Sequence, residues 1–263
     1  MVSGNRLVNA GTRGYHRQSV LLAPVGNQQI GSGNSIGQGV KIDAIVRRID
    51  EALEGRLRNS ISDQARANAS REILAQIESV QNELSEIDLS SRLSAFFNSW
   101  SELANTPDDN SLRTLVIQQG QQLANYFNDV GSELRDVRLQ LDARIDQAVK
   151  SADDLLTQIE TLNQQIAFAE RGQGGAHALR DQRDQVLQEL TQYLDVSTIE
   201  QPSGSIDVFV GSLPVVLNGK SRGIEVNRET INGQLEISVV LKADGSVVEA
   251  QSGEIGALVT KRS

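Results

Sequence analysis

The sequence predicts a mainly α-helical protein with an appended β module: a long-helix antiparallel bundle followed by the start of an all-β domain. Residues 108–170 form one amphipathic pattern, in which apolar residues recur every three or four positions from Leu112 to Ile166. After Asp195, short β-type runs alternate with Asn-Gly and Asp-Gly pairs, which are typical of hairpin turns. Aromatic residues make up only 3% of the chain. Any core must therefore consist mainly of Leu, Ile, Val and Ala, which suits a thin helical bundle.

The composition excludes several functional classes. The formal net charge is −9, so the chain as a whole does not resemble a nucleic-acid binder, which needs a basic surface. Residues 1–48 are the exception, with a local charge of +5, and they form either a solvated basic arm or an arm that docks on an acidic neighbour.

The absence of cysteine excludes disulfides and thiolate chemistry. No run approaches the ~18 apolar residues of a transmembrane helix, and the N-terminal residues lack the pattern of a cleaved signal peptide.

The first elements in chain order are an arm and a long helix. Residues 1–43 predict an extended N-terminal arm with a β-hairpin, built from β-type runs at Ser19–Ala23 and Gly39–Ala44. Helical spacing of apolar residues then runs from Ile45 to Glu86. This helix opens the predicted bundle domain, residues 44–195.

A shorter helix is predicted from Ser90 to Asn105, and Pro107 cannot continue it. The acidic residues that follow can cap the next helix. The aromatic cluster Phe96, Phe97 and Trp100 is interpreted as core, with an exposed docking patch as the alternative.

The middle of the long helix contains an irregular spacing. Val137, Leu141 and Ile145 follow one another at steps of four, a stutter that locally relaxes a left-handed supercoil. We expect Leu141 and Ile145 to be buried against the Ile45–Glu86 helix.

The last predicted elements are one helix and a β-rich domain. The helix spans Leu179–Leu194, and residues 196–263 are predicted as an incomplete β-rich domain. Because Gly253–Thr260 becomes apolar again, this segment is expected to continue the β module. The β-type runs are Val196–Glu200, Ile206–Val210, Val215–Leu217, Ile224–Val226, Leu235–Leu241 and Val247–Val248.

Catalytic chemistry is not indicated. The two histidines, His16 and His177, lie in separate loops, and a metal site built on them would need distant carboxylates without a recognisable spacing. No nucleophile triad, P-loop or nucleotide-binding motif is present. We therefore predict a protein that is not an enzyme and has no cofactor, metal or catalytic residue.

Several segments resemble bacterial axial flagellar proteins, the rod, hook and hook-associated subunits. Residues 3–18 resemble their N-terminal signature, roughly TGNNIANxNTPGYxRQ, and residues 37–50 and 96–107 continue the match. The most specific segment is Leu179–Leu190, followed by Asp195-Val196, which is similar to the hook-associated subunits. The family-motif residues, which the resemblance assigns to subunit packing, are Asn9, Thr12, Gly14, Tyr15, Arg17, Gln18, Asp181, Gln182, Arg183 and Asp184.

The resemblance implies a structural subunit of the bacterial flagellum at the hook–filament junction. Its flagellin-like rod domain would pack side by side with neighbouring axial subunits through long helices. The implied location is extracellular, after type III export without a cleaved signal peptide. The implied partners are the hook protein, the second junction protein and an export chaperone, with no nucleic acid and no membrane insertion.

The resemblance also implies that the chain matches an N-terminal portion of the family, without its first terminal helix and its C-terminal half. We expect this portion to be monomeric. Two alternative functions stay open: a stand-alone coiled-coil adaptor or secretion chaperone, and another axial protein such as flagellin or the second junction protein.

Overall fold

The computed structural model describes most of the chain. Residues 82–86 of the predicted Ile45–Glu86 helix lie outside the described part, as do residues 3, 5, 6, 10 and 13 of the flagellar signature. The described residues are 4, 7–9, 11–12, 14–26, 28–30, 34–36, 38–81, 88–171, 175–231 and 233–262.

The N-terminal arm forms two antiparallel strand pairs. Strand β1 (Gln18–Pro24) pairs with β4 (Val40–Arg47), and β2 (Gln28–Ile30) pairs with β3 (Asn34–Ile36) between them. The β1–β4 register shifts between Leu21 and its neighbour, as at a β-bulge. The hairpin expected for the arm is therefore confirmed.

Helix α1 (Glu51–Gln81) begins six residues later than the predicted helix. The prediction was wrong here because β4 continues through Arg47 and keeps its ladder with β1. Asp50 then starts the helix, since its carboxylate accepts a hydrogen bond from the Leu53 amide at 3.0 Å.

Helices α2 (Leu89–Asn105) and α3 (Asn110–Glu170) form an antiparallel pair, and α3 is 61 residues long. Asp109 caps α3, as expected, by accepting from two backbone amides. The Arg92 guanidinium lies 5.0 Å from the ring centre of Tyr126, so α2 folds back along the N-terminal half of α3. No helix among the described residues is long and apolar enough to cross a membrane.

Helix α4 (His177–Tyr193) lies antiparallel to the C-terminal end of α3. Two cross-helix pairs fix this direction: Arg180 contacts Glu170, and Arg183 contacts Asn163.

The segment after α4 forms an antiparallel four-stranded sheet and a separate hairpin. The Asn-Gly signal is confirmed at Asn218 and Gly219, which have φ values of 52° and 75° in the turn before the last strand of the sheet. Asn232, in the second predicted Asn-Gly turn, lies outside the described residues. The strands are β5 (Val196–Glu200), β6 (Ile206–Val210), β7 (Leu213–Leu217) and β8 (Lys220–Ser221), in that spatial order, and the hairpin strands are β9 (Ile224–Ile231) and β10 (Gln234–Leu241).

The expected continuation of the β module at Gly253–Thr260 was wrong, because Gly253–Arg262 forms helix α5. The apolar spacing of this segment is helical: Ile255 and Leu258 are three residues apart and both are buried. Its charges also favour a helix, since Glu254 lies in the first turn and two basic residues lie in the last.

One buried cluster joins the helices to the sheet. It contains Ile73 of α1, Leu141 and Ile145 of α3, Ile206 of β6 and Ile255 of α5. The predicted burial of Leu141 and Ile145 is therefore confirmed, and both share this cluster with Ile73 of the helix now defined as α1. The division of the chain at residues 43/44 and 195/196 stays a prediction.

The core interpretation of the α2 aromatic cluster was wrong. Phe97 is 60% exposed and Trp100 is 49% exposed, whereas Phe96 is half-buried close to Gly120 of α3. Helix α2 packs against α3 on one side only among the described residues. The rings of Phe97 and Trp100 point away from that contact and remain on the surface. This agrees with the alternative interpretation, an exposed docking patch.

Candidate docking site between the N-terminal arm and helix α4

The two flagellar motifs, far apart in sequence, meet in the structure. Gly14 has a φ of +77°, which L side chains rarely adopt, and it lies directly on Gln185 of α4. A Cβ atom at position 14 would lie 2.5 Å from Cγ of Gln185. The backbone conformation therefore favours glycine at position 14, and a larger residue there would also displace the flexible Gln185 side chain of α4.

An ion-pair cluster holds the arm next to this contact. The Arg47 Nη2 atom lies 2.9 Å from Oδ1 of Asp181 and also binds the Asp184 carboxylate. The His16 Nδ1 atom lies 2.9 Å from the same Asp181 oxygen, and its Nε2 atom lies 3.6 Å from Glu54 at the start of α1. Strand β4, the arm, α1 and α4 thus converge on one half-buried cluster of charges.

The fold brings to His16 carboxylates that are distant in sequence, as a metal site there would need. Ligand atoms of His16, Asp181 and Asp184 lie within 4.8 Å of one another. One imidazole and two carboxylates are a reasonable ligand set for a divalent metal. However, Nη2 of Arg47 already lies between the two carboxylates. The guanidinium supplies the positive charge that a metal would bring, so we interpret these residues as an ion-pair cluster.

Arg183 connects α4 to the sheet from inside the core. It is 2% exposed, and its Nη1 atom donates to Oδ1 of Asn163 at 2.9 Å and to the Gly204 carbonyl at 2.7 Å. Asn163 also exchanges two hydrogen bonds with the backbone of Ile206 in β6. Burial lowers the pKa of Arg183 to about 10, because desolvation penalises the charged guanidinium.

Arg180 forms a second set of ion pairs at the start of α4. It binds Glu170 at the end of α3 at 2.7 Å and Glu200 of β5 at 2.7 Å. Hydrogen bonds from Arg180 lower the pKa of Glu170 below its ordinary value, and the carboxylates raise the pKa of Arg180.

The other predicted motif residues lie outside this cluster. Asn9 and Thr12 form a local turn, in which the Thr12 hydroxyl lies 3.2 Å from Oδ1 of Asn9. Gln18 begins β1 opposite Arg47. Arg17 and Gln182 are exposed.

Tyr15 is half-buried between the turn and the cluster. Its amide donates to the Thr12 carbonyl at 3.2 Å, and its buried hydroxyl has no hydrogen-bond partner among the described residues.

Sequence reasoning missed four residues of the site: His16, Arg47, Glu54 and Gln185. His16 and Arg47 lie inside segments that resemble the flagellar family, so those matches could have drawn attention to them. The pairing of Arg47 with α4 depends on contacts across 137 residues, which no local pattern reveals.

Comparisons with known proteins agree with the flagellar motifs. The family model described as flagellar hook-associated protein FlgK helical domain matches residues 74–263. A protein from Bacillus subtilis (strain 168) named flagellar hook-associated protein 1 is 29% identical over 95% of this chain and 53% of its own length. A protein of the same name from Salmonella typhimurium is 27% identical over 98% of this chain and 48% of its own length. The chain thus spans about half the length of these relatives.

A solved structure shows the same fold. The flagellar hook junction protein FlgK from Burkholderia pseudomallei aligns with a TM-score of 0.65 and 20% sequence identity, over 79% of this chain and 39% of that protein. The resemblance to hook-associated proteins is confirmed by the family model, which covers α2, α3, α4, strands β5–β10 and α5. The chain belongs to the FlgK family of flagellar hook-associated proteins.

Proposed function

We propose that the chain is part of a structural subunit at the junction between hook and filament of a bacterial flagellum. The observation that carries this proposal is the match of residues 74–263 to the FlgK helical domain. The subunit works by packing against neighbouring axial subunits and performs no chemical reaction. It reaches the extracellular flagellum by type III export with the help of a chaperone, and the hook protein and second junction protein are its neighbours.

The distribution of exposed apolar residues supports lateral packing. Phe97 and Trp100 of α2 and Phe127 of α3 are each about half exposed or more, and all three lie on the same helix pair. Exposed aromatic patches of this kind are typical of protein–protein contacts. A coiled-coil adaptor is not favoured, because here the sheet and the helices share one core.

The arm residues have a separate role in this proposal. The ion-pair cluster at Arg47, Asp181 and Asp184, with the Gly14 contact, fixes the basic arm on α4. The motif residues predicted for subunit packing would then act first within the subunit, by setting the direction in which the arm leaves the bundle.

Gene deletion in the source bacterium tests the junction role. If the junction subunit is absent, the filament has no base to attach to. We expect hooks without filaments in electron micrographs, flagellin released into the medium and no swimming, with recovery from a plasmid copy. Normal filaments on deleted cells would refute the proposal.

Cysteine labelling tests the packing surface. Because the natural chain has no cysteine, a single Phe97→Cys substitution provides one site for a photo-crosslinker. We expect crosslinks from that site to neighbouring axial subunits in purified flagella, identified by mass spectrometry. Lys150→Cys, exposed on the C-terminal half of α3, is the matched control. Equal crosslinking from both sites would contradict the assigned surface.

Limited proteolysis tests the arm contact. Arg47→Gln removes the charge that binds Asp181 and Asp184, so trypsin should cleave the arm faster while the bundle stays intact. Arg48→Gln is the control, because the Nε atom of Arg48 donates to the Ser19 hydroxyl at 2.9 Å, a contact within the arm. An unchanged rate for Arg47→Gln would show that the cluster does not hold the arm.

A further inference from the structure

A cavity of about 500 Å³ lies beneath the arm, between β4, the first turns of α1, helix α4 and β5. Four of its lining side chains have buried nitrogen atoms without a hydrogen-bond partner among the described residues. These atoms are Nε of Arg47, Nε of Arg58, Nε of Arg183 and Nδ1 of His177. Buried polar atoms in folded proteins nearly always have partners, so four such atoms around one cavity require an explanation.

The charges around the cavity are unevenly matched. Its carboxylates at Glu170 and Glu200 both bind Arg180, and Asp184 binds Arg47. Glu51 and Glu54 lie at the start of α1, and Glu51 is exposed to solvent. Three of the five lining carboxylates are thus already held in ion pairs.

Two arginines around the cavity have only neutral partners among the described residues. Arg58 donates to the Thr198 hydroxyl at 3.4 Å, a long contact. Arg183, which is 2% exposed, donates to Asn163 and to the Gly204 carbonyl. The carboxylates of Asp184 and Glu200 attract Arg183 at longer range, but neither accepts one of its hydrogen bonds among the described residues. A directly bound anion would offset more of the cost of burying this guanidinium.

The start of α4 adds a further attraction for anions. Helix α4 has 17 residues, and its N-cap residue, Ala176, provides no side-chain hydrogen bond. The first helical residue, His177, lines the cavity. The Ala176 amide already donates to Oε1 of Glu170 at 3.4 Å. The positive end of the helix dipole favours negative charge close to the amides of this first turn.

We propose that this cavity binds one small oxyanion, such as inorganic phosphate, through Arg58, Arg183 and the start of α4. Guanidinium groups bind tetrahedral oxyanions with charge-assisted hydrogen bonds, and their Nε–H groups are natural donors. The bound anion would give Arg183 a counter-charge that accepts its hydrogen bonds directly. It would also tie the arm, α1 and α4 together beneath the docking site.

Phosphate titration of the intact chain tests the proposal by nuclear magnetic resonance. The arginine Nε–H signals report directly on the unpartnered atoms. We expect the signals of Arg58 and Arg183 to shift and saturate as sodium phosphate is added, and not with sodium chloride at equal ionic strength. Equal, non-saturating shifts with both salts would overturn the proposal.

A pair of variants identifies the site. Arg58→Gln should raise the dissociation constant for phosphate about tenfold, as expected for the loss of one charge-assisted hydrogen bond. Arg66→Gln is the matched control, since Arg66 lies exposed on the same helix and donates to the Gln251 carbonyl at 2.7 Å. Equal phosphate affinity in the two variants would overturn the assignment to this cavity.

Discussion

The two halves of helix α3 have the same secondary structure and different surroundings. Among residues 110–138, all described, Val116 is the one buried side chain. Ile117 is 62% exposed and Phe127 is 52% exposed in this half. The C-terminal half instead buries a continuous stripe at Leu141, Ile145, Ala148, Val149, Ala152, Leu155, Leu156, Ile159, Leu162, Asn163 and Ile166.

The difference follows from the number of elements packed on each half. The N-terminal half contacts α2, whereas the C-terminal half lies among α1, α4, α5 and the β strands. Hydrophobic stabilisation grows with the apolar area removed from water, so the C-terminal half should supply most of the folding free energy. The N-terminal half leaves apolar surface exposed, and the proposed packing against neighbouring subunits would use that surface.

Core truncations should show the largest contrast between the halves. Ile145→Ala removes a fully buried side chain and should lower the free energy of unfolding by about 2–5 kcal/mol, with Leu141→Ala in the same range. Ile117→Ala, the exposed control in the other half, should change it by less than about 0.5 kcal/mol. Urea unfolding measures both, and similar losses in the two halves would contradict the contrast.

The buried polar link in the C-terminal half should give the next largest effect. Asn163→Ala leaves Arg183 and the backbone of Ile206 without their partner, which should cost about 1–3 kcal/mol. Gln165→Ala, exposed on the same helix, should be close to neutral. Thermal unfolding compares the two variants, and equal melting temperatures would show that the link adds no stability.

The ion pair at the end of the C-terminal half should produce a pH dependence. Arg180 lowers the pKa of Glu170 in the native protein below its ordinary value. This carboxylate therefore stabilises the fold fully at pH values above the pKa that Glu170 has in the unfolded chain. The contribution, below about 1 kcal/mol for a partly exposed pair, is lost as pH falls through the native pKa.

Glu170→Gln should therefore lower stability at neutral pH and approach the parent protein in acid. Glu189→Gln, exposed on α4, should leave the acid-unfolding profile unchanged. Acid titrations followed by circular dichroism measure both. A stability loss from Glu170→Gln that persists unchanged below the native pKa would contradict the role given to Arg180.

The smallest change in stability is expected for a substitution on the exposed surface of α2 and α3. Trp100 is the single tryptophan of the chain, so its fluorescence reports on α2 alone. Its emission should be typical of a solvent-exposed indole and be readily quenched by iodide in the native protein. Trp100→Phe should leave the melting temperature nearly unchanged. A shielded, blue-shifted emission would place this surface inside the fold.

The sequence predicted the positions of the helices better than the burial of their side chains. Apolar periodicity located α3 within two residues of its start, because a long amphipathic helix leaves a clear local pattern. The same pattern could not show that Leu134 and Phe127 are exposed, since an apolar stripe has the same period whether or not other helices or strands cover it. The aromatic cluster of α2 was misassigned for that reason.

The candidate site was predicted in part, through its motifs. Resemblance to the flagellar family identified Gly14, Asp181 and Asp184 without indicating that the arm and α4 meet at these positions. That meeting depends on Arg47 at the end of β4, in the last three residues of the strand, which the sequence had assigned to the following helix. Segment Gly253–Arg262 was misassigned because strand runs precede it, although Ile255 and Leu258 have helical spacing.

Hydrogen exchange of the chain in solution tests the contrast between the halves of α3 most directly. Amides in the C-terminal half, residues 141–166, should exchange only when the whole protein unfolds. Amides in residues 112–138 should exchange faster by local opening, because few buried contacts hold that half. This result would support a rigid core that presents a separate packing surface. Equal protection along the entire helix would contradict it.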